Sequence, residues 1–229
     1  MSDSQHETAR VTWRSDRVPV SARFDDPYFS IDSGLAETRH VFLAGNHLPA
    51  RFRPGFSVAE LGFGTGLNLL ATWQVWEESA QQGRLRYTSF EAFPMTAEDM
   101  ARALGAFPQL APLAQELLRL WSMGRTRFSL GPLEVTVILG DAAQTLPGWS
   151  GRADAWYLDG FAPVRNPGLW SASILAEVGA HTRSGGTLAT YSAAGHVRRS
   201  LTGAGFDIVR VPGFGRKRHM TVGTLRPHP

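Results

Sequence analysis

Glu60-Leu61-Gly62-Phe63-Gly64-Thr65-Gly66 closes an apolar run and opens a helical one. Glycines let a backbone turn sharply and approach a ligand closely. The helix N-terminus beyond them offers unpaired N–H groups to a carboxylate or phosphate. The spacing of Gly62, Gly64 and Gly66 is G-x-G-x-G, whereas dinucleotide sites use G-x-G-x-x-G. Acids stand at the ends of three successive core strands, Glu60, Glu91 and Asp141. Glu60 can accept a hydrogen bond from an amino-acid ammonium. Glu91 can take both hydroxyls of a ribose. Asp141 can hold an adenine amino group, or simply cap the helix that starts near Ala142. An adenosine joined to an amino acid, S-adenosylmethionine, satisfies all three.

A fourth acid lies in Trp156-Tyr157-Leu158-Asp159-Gly160-Phe161-Ala162-Pro163. Asp159 should project into the crevice beside the cofactor. Gly160 allows a turn, Phe161 can lie against a flat ring, and Pro163 stiffens the loop. The plainer readings are a turn cap for Asp159 and core packing for Phe161. Methyl transfer from a sulfonium needs a neutral amine lone pair, aligned and kept from water. A carboxylate within hydrogen-bond reach can orient the amine and take its proton.

The elements that must position these groups alternate between strand and helix, the pattern of a mostly parallel sheet. Strands are predicted at Phe56 to Leu61, Leu85 to Glu91, Ala155 to Asp159 and Thr187 to Tyr191. Arg127 to Leu130 and Glu134 to Leu139 read as a hairpin around Gly131-Pro132. Helices are predicted from Leu67 to Ala80, through Leu110, Leu113, Ala114, Leu117, Leu118 and Trp121, from Gly168 to Gly179, and around Val197 and Leu201. Phe206 to Val211 and Met220 to Leu225 are joined too briefly for a parallel crossover, so they should pair antiparallel. The expected fold is α/β, a Rossmann-like class I methyltransferase with a mostly parallel seven-stranded sheet ending in an antiparallel strand. Residues 56–229 form this domain. Residues 1–55 fall outside the alternation and read as an N-terminal extension, with a hairpin around Ser15-Asp16, a helix from Leu35 to Leu43 stopped at Gly45-Asn46, and a frayed tip before Val11.

Composition narrows the classes. The chain has 229 residues, 43% hydrophobic, with no cysteine and a formal charge of +3. Disulfides, zinc–thiolate sites and a thiol nucleophile are excluded. No apolar run approaches a membrane span and the N-terminus is not a secretory signal, so the expected location is cytoplasmic, with no membrane partner. Between Arg198 and Arg218 lie Arg198, Arg199, Arg210, Arg216, Lys217 and Arg218 against one acid, Asp207.

Several longer segments carry a family resemblance. They are Asp26-Pro27-Tyr28-Phe29-Ser30, Gly34 to Leu43 with Gly45-Asn46, the loop Glu60 to Asn68, Phe90-Glu91, Tyr157 to Pro163 with Asn166-Pro167 and Trp170, Tyr191 to Gly195 with Val197-Arg198-Arg199, and Gly213-Phe214-Gly215-Arg216-Lys217-Arg218. In these the chain resembles the methyltransferase domain of the bacterial enzymes that finish 5-methylaminomethyl-2-thiouridine at the tRNA wobble position. The resemblance implies methyl transfer from S-adenosylmethionine to the primary amine of 5-aminomethyl-2-thiouridine, with Asp159 at that amine and Asn68 among the cofactor contacts. It implies the tRNA anticodon loop as partner, with no flavin and no metal. In many relatives a flavin-dependent oxidase domain follows; this sequence ends at Pro229, so a stand-alone form is expected, supplied by a separate oxidase or aminomethyl-forming enzyme upstream. Arginine forks at Arg198, Arg199, Arg216 and Arg218, with Lys217, suit phosphates. Tyr28, Phe161 and Phe214 are candidates to stack a splayed base. The alternatives are a methyltransferase acting on a small-molecule amine and a non-catalytic RNA-binding module of the same fold.

Overall fold

The computed structural model describes residues 7–15, 17–30 and 33–227. Its first elements form a small antiparallel sheet, β1 (Val11–Arg14), β2 (Val18–Ser21) and β3 (Asp26–Pro27). Helix α1 (Gly34–Thr38) continues through a wide π turn, Arg39–Leu43, and a tight 3₁₀ turn, Ala44–Asn46. The main domain follows as β4 (Ser57–Leu61), α2 (Leu67–Glu78), β5 (Leu85–Glu91), α3 (Ala97–Leu104), α4 (Ala111–Ser122), β6 (Arg127–Leu130), β7 (Leu133–Leu139), α5 (Ala142–Thr145) and β8 (Ala153–Leu158). It closes with α6 (Ala172–Ala180), β9 (Thr182–Thr190), α7 (Gly195–Gly203), β10 (Phe206–Pro212) and β11 (His219–Leu225).

The sheet order is β10-β11-β9-β8-β4-β5-β7-β6. β9, β8, β4, β5 and β7 run parallel, and β11 and β10 close one edge antiparallel, as their short connection requires. The sheet has eight strands rather than the expected seven. The extra strand is β6, which pairs antiparallel with β7 across the Gly131-Pro132 turn and extends the opposite edge. β4 and β8 are buried along their whole length, so their residues show no alternation between buried and exposed faces. The chain reverses its direction of travel across the sheet between these two strands. Ligands of open α/β sheets bind at such a switch point, outside the strands' carboxyl ends.

The segment before β4 is part of this structure. Phe42, Leu43, Leu48 and Phe52 share a core cluster with Val58, Trp73 and Trp76. Burying each such side chain contributes about 1.5–3 kcal/mol. Asn46 is fully buried; its Nδ2 donates to the carbonyls of Phe42 (2.9 Å) and Trp156 (3.2 Å), and its Oδ1 accepts from Thr187 at 2.5 Å. The frayed tip was expected to reach Arg10. Residues 1–6 lie outside the described residues, but the Ala9 amide donates to Pro94 O at 3.0 Å and Arg10 O accepts from Ala22 N at 2.9 Å. Among the described residues no helix is long and apolar enough to cross a membrane.

Candidate active site

The carboxyl ends of β4, β5, β7, β8 and β9 open into a cavity of about 1370 Å³, closed from the other side by β2–β3, α1 and the β10–β11 turn. A typical small-ligand pocket holds roughly 300–1,000 Å³. This one has room for a nucleoside cofactor and a second ligand together.

The glycine loop leaves β4 and enters α2 at the cavity floor. Gly62 has φ +90°, and a Cβ there would stand 2.0 Å from the carbonyl oxygen of Asp159. Only glycine lets the exits of β4 and β8 come this close. Gly64, at φ +51°, lies under the Tyr28 ring. Its amide donates to Glu91 Oε2 at 2.9 Å, while Glu91 Oε1 accepts from Phe93 N at 2.8 Å. Glu91 is thereby fixed against the loop and faces the cavity, each oxygen keeping a lone pair for a ribose hydroxyl. Burial raises its pKa, and the loop amides oppose the rise.

Asn68, in the first turn of α2, ties the acids together. Its Nδ2 donates to Glu60 Oε1 at 2.9 Å and to Asp159 Oδ2 at 2.6 Å, and its Oδ1 accepts from Thr38 Oγ1 at 2.9 Å. Asn68 and Asp159 line the cavity; Glu60, 1% exposed, lies behind Asn68 and reaches the cavity only through that amide. Glu60, expected to accept from an ammonium, accepts here from the Asn68 amide. Desolvation, with the nearby Asp159 charge, pushes the Glu60 pKa up to about 8. Glu60 Oε2, Tyr87 OH and Ser89 Oγ are buried beside one another, and the two hydroxyls oppose the rise. Both hydroxyls can donate to that carboxylate oxygen.

Asp159 is raised to about 7, first by burial and then by Glu37 and Glu91, against the lowering effects of Asn68 and Lys217. Such a carboxylate exchanges protons near neutrality, as a general base should. Its loop is held at several points. Ala162 N donates to Asp26 Oδ2 at 2.7 Å, Trp170 Nε1 donates to Phe161 O at 2.8 Å, and the Tyr191 hydroxyl donates to Gly160 O. Phe161 stacks on Phe24 (4.9 Å between centroids) and meets Tyr28 edge-on at 5.0 Å. All three rings line the cavity and are only partly buried. Asp26, Phe24 and Tyr191 were not chosen from sequence. Asp26 and Tyr191 lay within the quoted motifs, and their contacts depend on partners more than thirty positions away.

Asp141 caps α5, its Oδ1 accepting from Ala143 N at 2.9 Å, and it also lines the cavity. The two readings of this acid are compatible, since one oxygen stays free. The basic residues divide. Arg216, Lys217 and Phe214 line the cavity; Arg198, Arg199 and Arg218 do not. Lys217 turns inward, donating to Glu37 Oε1 at 2.7 Å. Among the described residues Arg198, Arg199, Arg210, Arg216 and Arg218 make no ion pair with an acid. The register pairs Arg210 with Thr221 and Pro212 with His219, so Arg210 and His219 lie on the face of the β10–β11 ribbon that packs on α7. The pKa of His219 is lowered, after desolvation, by Arg210, Arg218 and Arg198. These four therefore form one basic patch, of which Arg210 and His219 were missed. The strand period that puts them on one face was legible, but not their meeting with α7.

The floor fits S-adenosylmethionine: a glycine loop a Cβ would fill, a cavity-facing acid on the second strand, and carboxylates for a cationic tail. The sequence comparisons agree. The description "S-adenosyl-L-methionine-dependent methyltransferase" belongs to the family that matches residues 108–226, and the chain belongs to that family. It is 45% identical over its full length to the "tRNA 5-methylaminomethyl-2-thiouridine biosynthesis bifunctional protein MnmC" of Pseudomonas aeruginosa (strain UCBPP-PA14), covering 36% of that protein. It is 46% identical over 96% of its length to the protein of the same name from Aromatoleum aromaticum, again covering 36%. The chain thus spans about a third of the curated relatives it matches. Its fold is that of the crystal structure of MnmC2 from Aquifex aeolicus, with a TM-score of 0.74, 24% identity, and coverage of 99% of this chain and 74% of that one.

Proposed function

We propose that the chain transfers a methyl group from S-adenosylmethionine to the primary amine of 5-aminomethyl-2-thiouridine at the wobble position of tRNA, in the cytoplasm. Residues 56–229 form the methyltransferase domain, and residues 1–55 are an extension whose described residues complete the cavity wall. The observation that carries this reading is Asp159, held by Asn68 at 2.6 Å in a cavity large enough for cofactor and base. The bound cofactor supplies an electrophilic methyl on a sulfonium. Gly62, Gly64, Gly66, Glu91, Asp141 and Asn68 hold it, with Glu60 behind. Phe161, Phe24 and Tyr28 receive the flat uracil ring. Asp159 orients the amine and accepts its proton, so that the nitrogen lone pair is free; this is worth about 10²–10⁴ in rate. The Asp26 and Tyr191 contacts keep the loop from drifting, and closure of the wall excludes water.

The unpaired patch of Arg198, Arg210, Arg218 and His219 supports an RNA acceptor over a small amine, since a small amine gains nothing from cations on the flank. Arg199 and Arg216 extend the same flank. Labelled adenosylmethionine is incubated with tRNA from cells lacking the final methylation, and the labelled nucleoside is identified by mass. Label in 5-methylaminomethyl-2-thiouridine is expected. Cofactor binding with no label in tRNA moves the acceptor to a small amine. An upstream enzyme that produces the aminomethyl group completes the scheme.

A further inference from the structure

Lys217 lies between two arginines and is exposed as they are, but it has an acid and an aromatic ring as partners. Its Nζ donates to Glu37 Oε1 on α1 at 2.7 Å and stands 3.9 Å over the Tyr191 ring. The Glu37 side chain is 13% exposed and that of Lys217 is 46% exposed, so the pair sits at the cavity rim with its cation half in solvent. The Tyr191 hydroxyl in turn donates to the carbonyl of Gly160, the residue after Asp159. Lys217, Glu37, Tyr191 and Asp159 all line the same cavity. The turn that carries Lys217 is thus fastened to α1 on one side and to the Asp159 loop on the other.

We propose that Lys217 is a positioning residue of the methyl-transfer site, clamping the β10–β11 turn over the cavity through Glu37 and Tyr191 and keeping its positive charge on the cavity that Asp159 lines instead of binding phosphate. This inference rests on the methyl-transfer reading for its kinetic consequences only.

The charges around Asp159 make the consequence specific. Glu37 from α1, Glu91 from β5 and Glu60 from β4 face it with negative or potentially negative charge, and Tyr191 follows β9. Asn68 on α2 is a neutral donor, and Lys217 is the cation among the groups that act on it. Removing that cation favours the protonated carboxyl, so Asp159 holds its proton to higher pH. A base that must be ionised then works only at higher pH.

Lys217→Met and Lys217→Arg are compared with the unaltered chain. The Asp159 carboxyl is titrated by its ¹³C resonance, assigned with Asp159→Asn, with no substrate present. In Lys217→Met the titration is expected to move up by about one pH unit. The acid limb of kcat moves with it, so that kcat falls about fivefold at pH 7, while KM for tRNA stays within about twofold. Lys217→Arg keeps the charge and returns the limb toward its original place. An unchanged Asp159 titration overturns the proposal, most plainly if KM rises and RNA binding loses salt dependence, which is the behaviour of a phosphate ligand. If the unaltered chain transfers no methyl to tRNA, the functional reading fails, and the carboxyl titration still decides this proposal.

Discussion

The crevice floor and the flank beside it obey opposite electrostatic rules. At the floor, burial raises Glu60, Glu91 and Asp159 alike, and the charge of Glu91 acts on Asp159 as that of Asp159 acts on Glu60. On the flank, Arg198, Arg210 and Arg218 stand without acid partners among the described residues, Arg210 and Arg218 exposed to solvent. Solvent screens them, and no one of them can dominate. A buried acid acts through where its proton is; a surface cation acts through how many phosphates the set meets. Chemistry and RNA affinity should therefore separate cleanly under mutation.

The largest effect is expected at the floor. Asp159→Ala should lower methyl transfer by about 10²–10⁴, with cofactor affinity changed only slightly, measured by single turnover and by calorimetry. Asn68→Ala comes next. It removes the shared donor of Glu60 and Asp159, and turnover should fall by about 10², with the acid limb of the rate moving to higher pH. On the flank, changing Arg198, Arg210 and Arg218 together to Gln should weaken tRNA binding by roughly tenfold or more and flatten the log–log salt slope by about 0.7 per lost contact. Turnover at saturating tRNA should hold. A fall in turnover at saturation would blur the division between floor and flank.

The smallest effect concerns stability. Glu60 has a folded pKa of about 8, above its unfolded value. A group raised in this way favours folding most below the unfolded pKa, and that contribution is lost as pH rises through about 8. The melting temperature of the ligand-free protein should therefore decline between pH 6 and pH 9 by a few degrees, and Glu60→Gln should flatten the decline. An unchanged slope in the variant would place the titrating group elsewhere.

The same division explains what the sequence made legible. The floor is written in local signals: a glycine loop after an apolar strand, and acids that end strands. Its elements emerged with nearly their observed bounds, because strand and helix periods are set by neighbours in the chain. The helix α3 was not assigned, although Thr96 caps it by accepting from Asp99 N at 3.0 Å and Met100, Ala103 and Leu104 form its buried face. A helix of eight residues carries too few periods to stand out. The eighth strand was seen as half of a hairpin, but its place at the sheet edge is a tertiary outcome. Most opaque were the pairings across the chain. Glu37 meets Lys217, and Asp26 meets Ala162, only because folding brings α1 and β3 over the cavity. Charge alone made Lys217 look like its arginine neighbours. Its contacts with Glu37 and the Tyr191 ring set it apart.

The most direct test is single-turnover transfer of labelled methyl from adenosylmethionine to wobble-unmethylated tRNA by the unaltered chain and by Asp159→Asn, with tRNA affinity measured on the same preparations. The account predicts label in 5-methylaminomethyl-2-thiouridine for the unaltered chain, its near loss in the variant, and tRNA affinities within about twofold of each other. A variant that transfers label at the unaltered rate would contradict it.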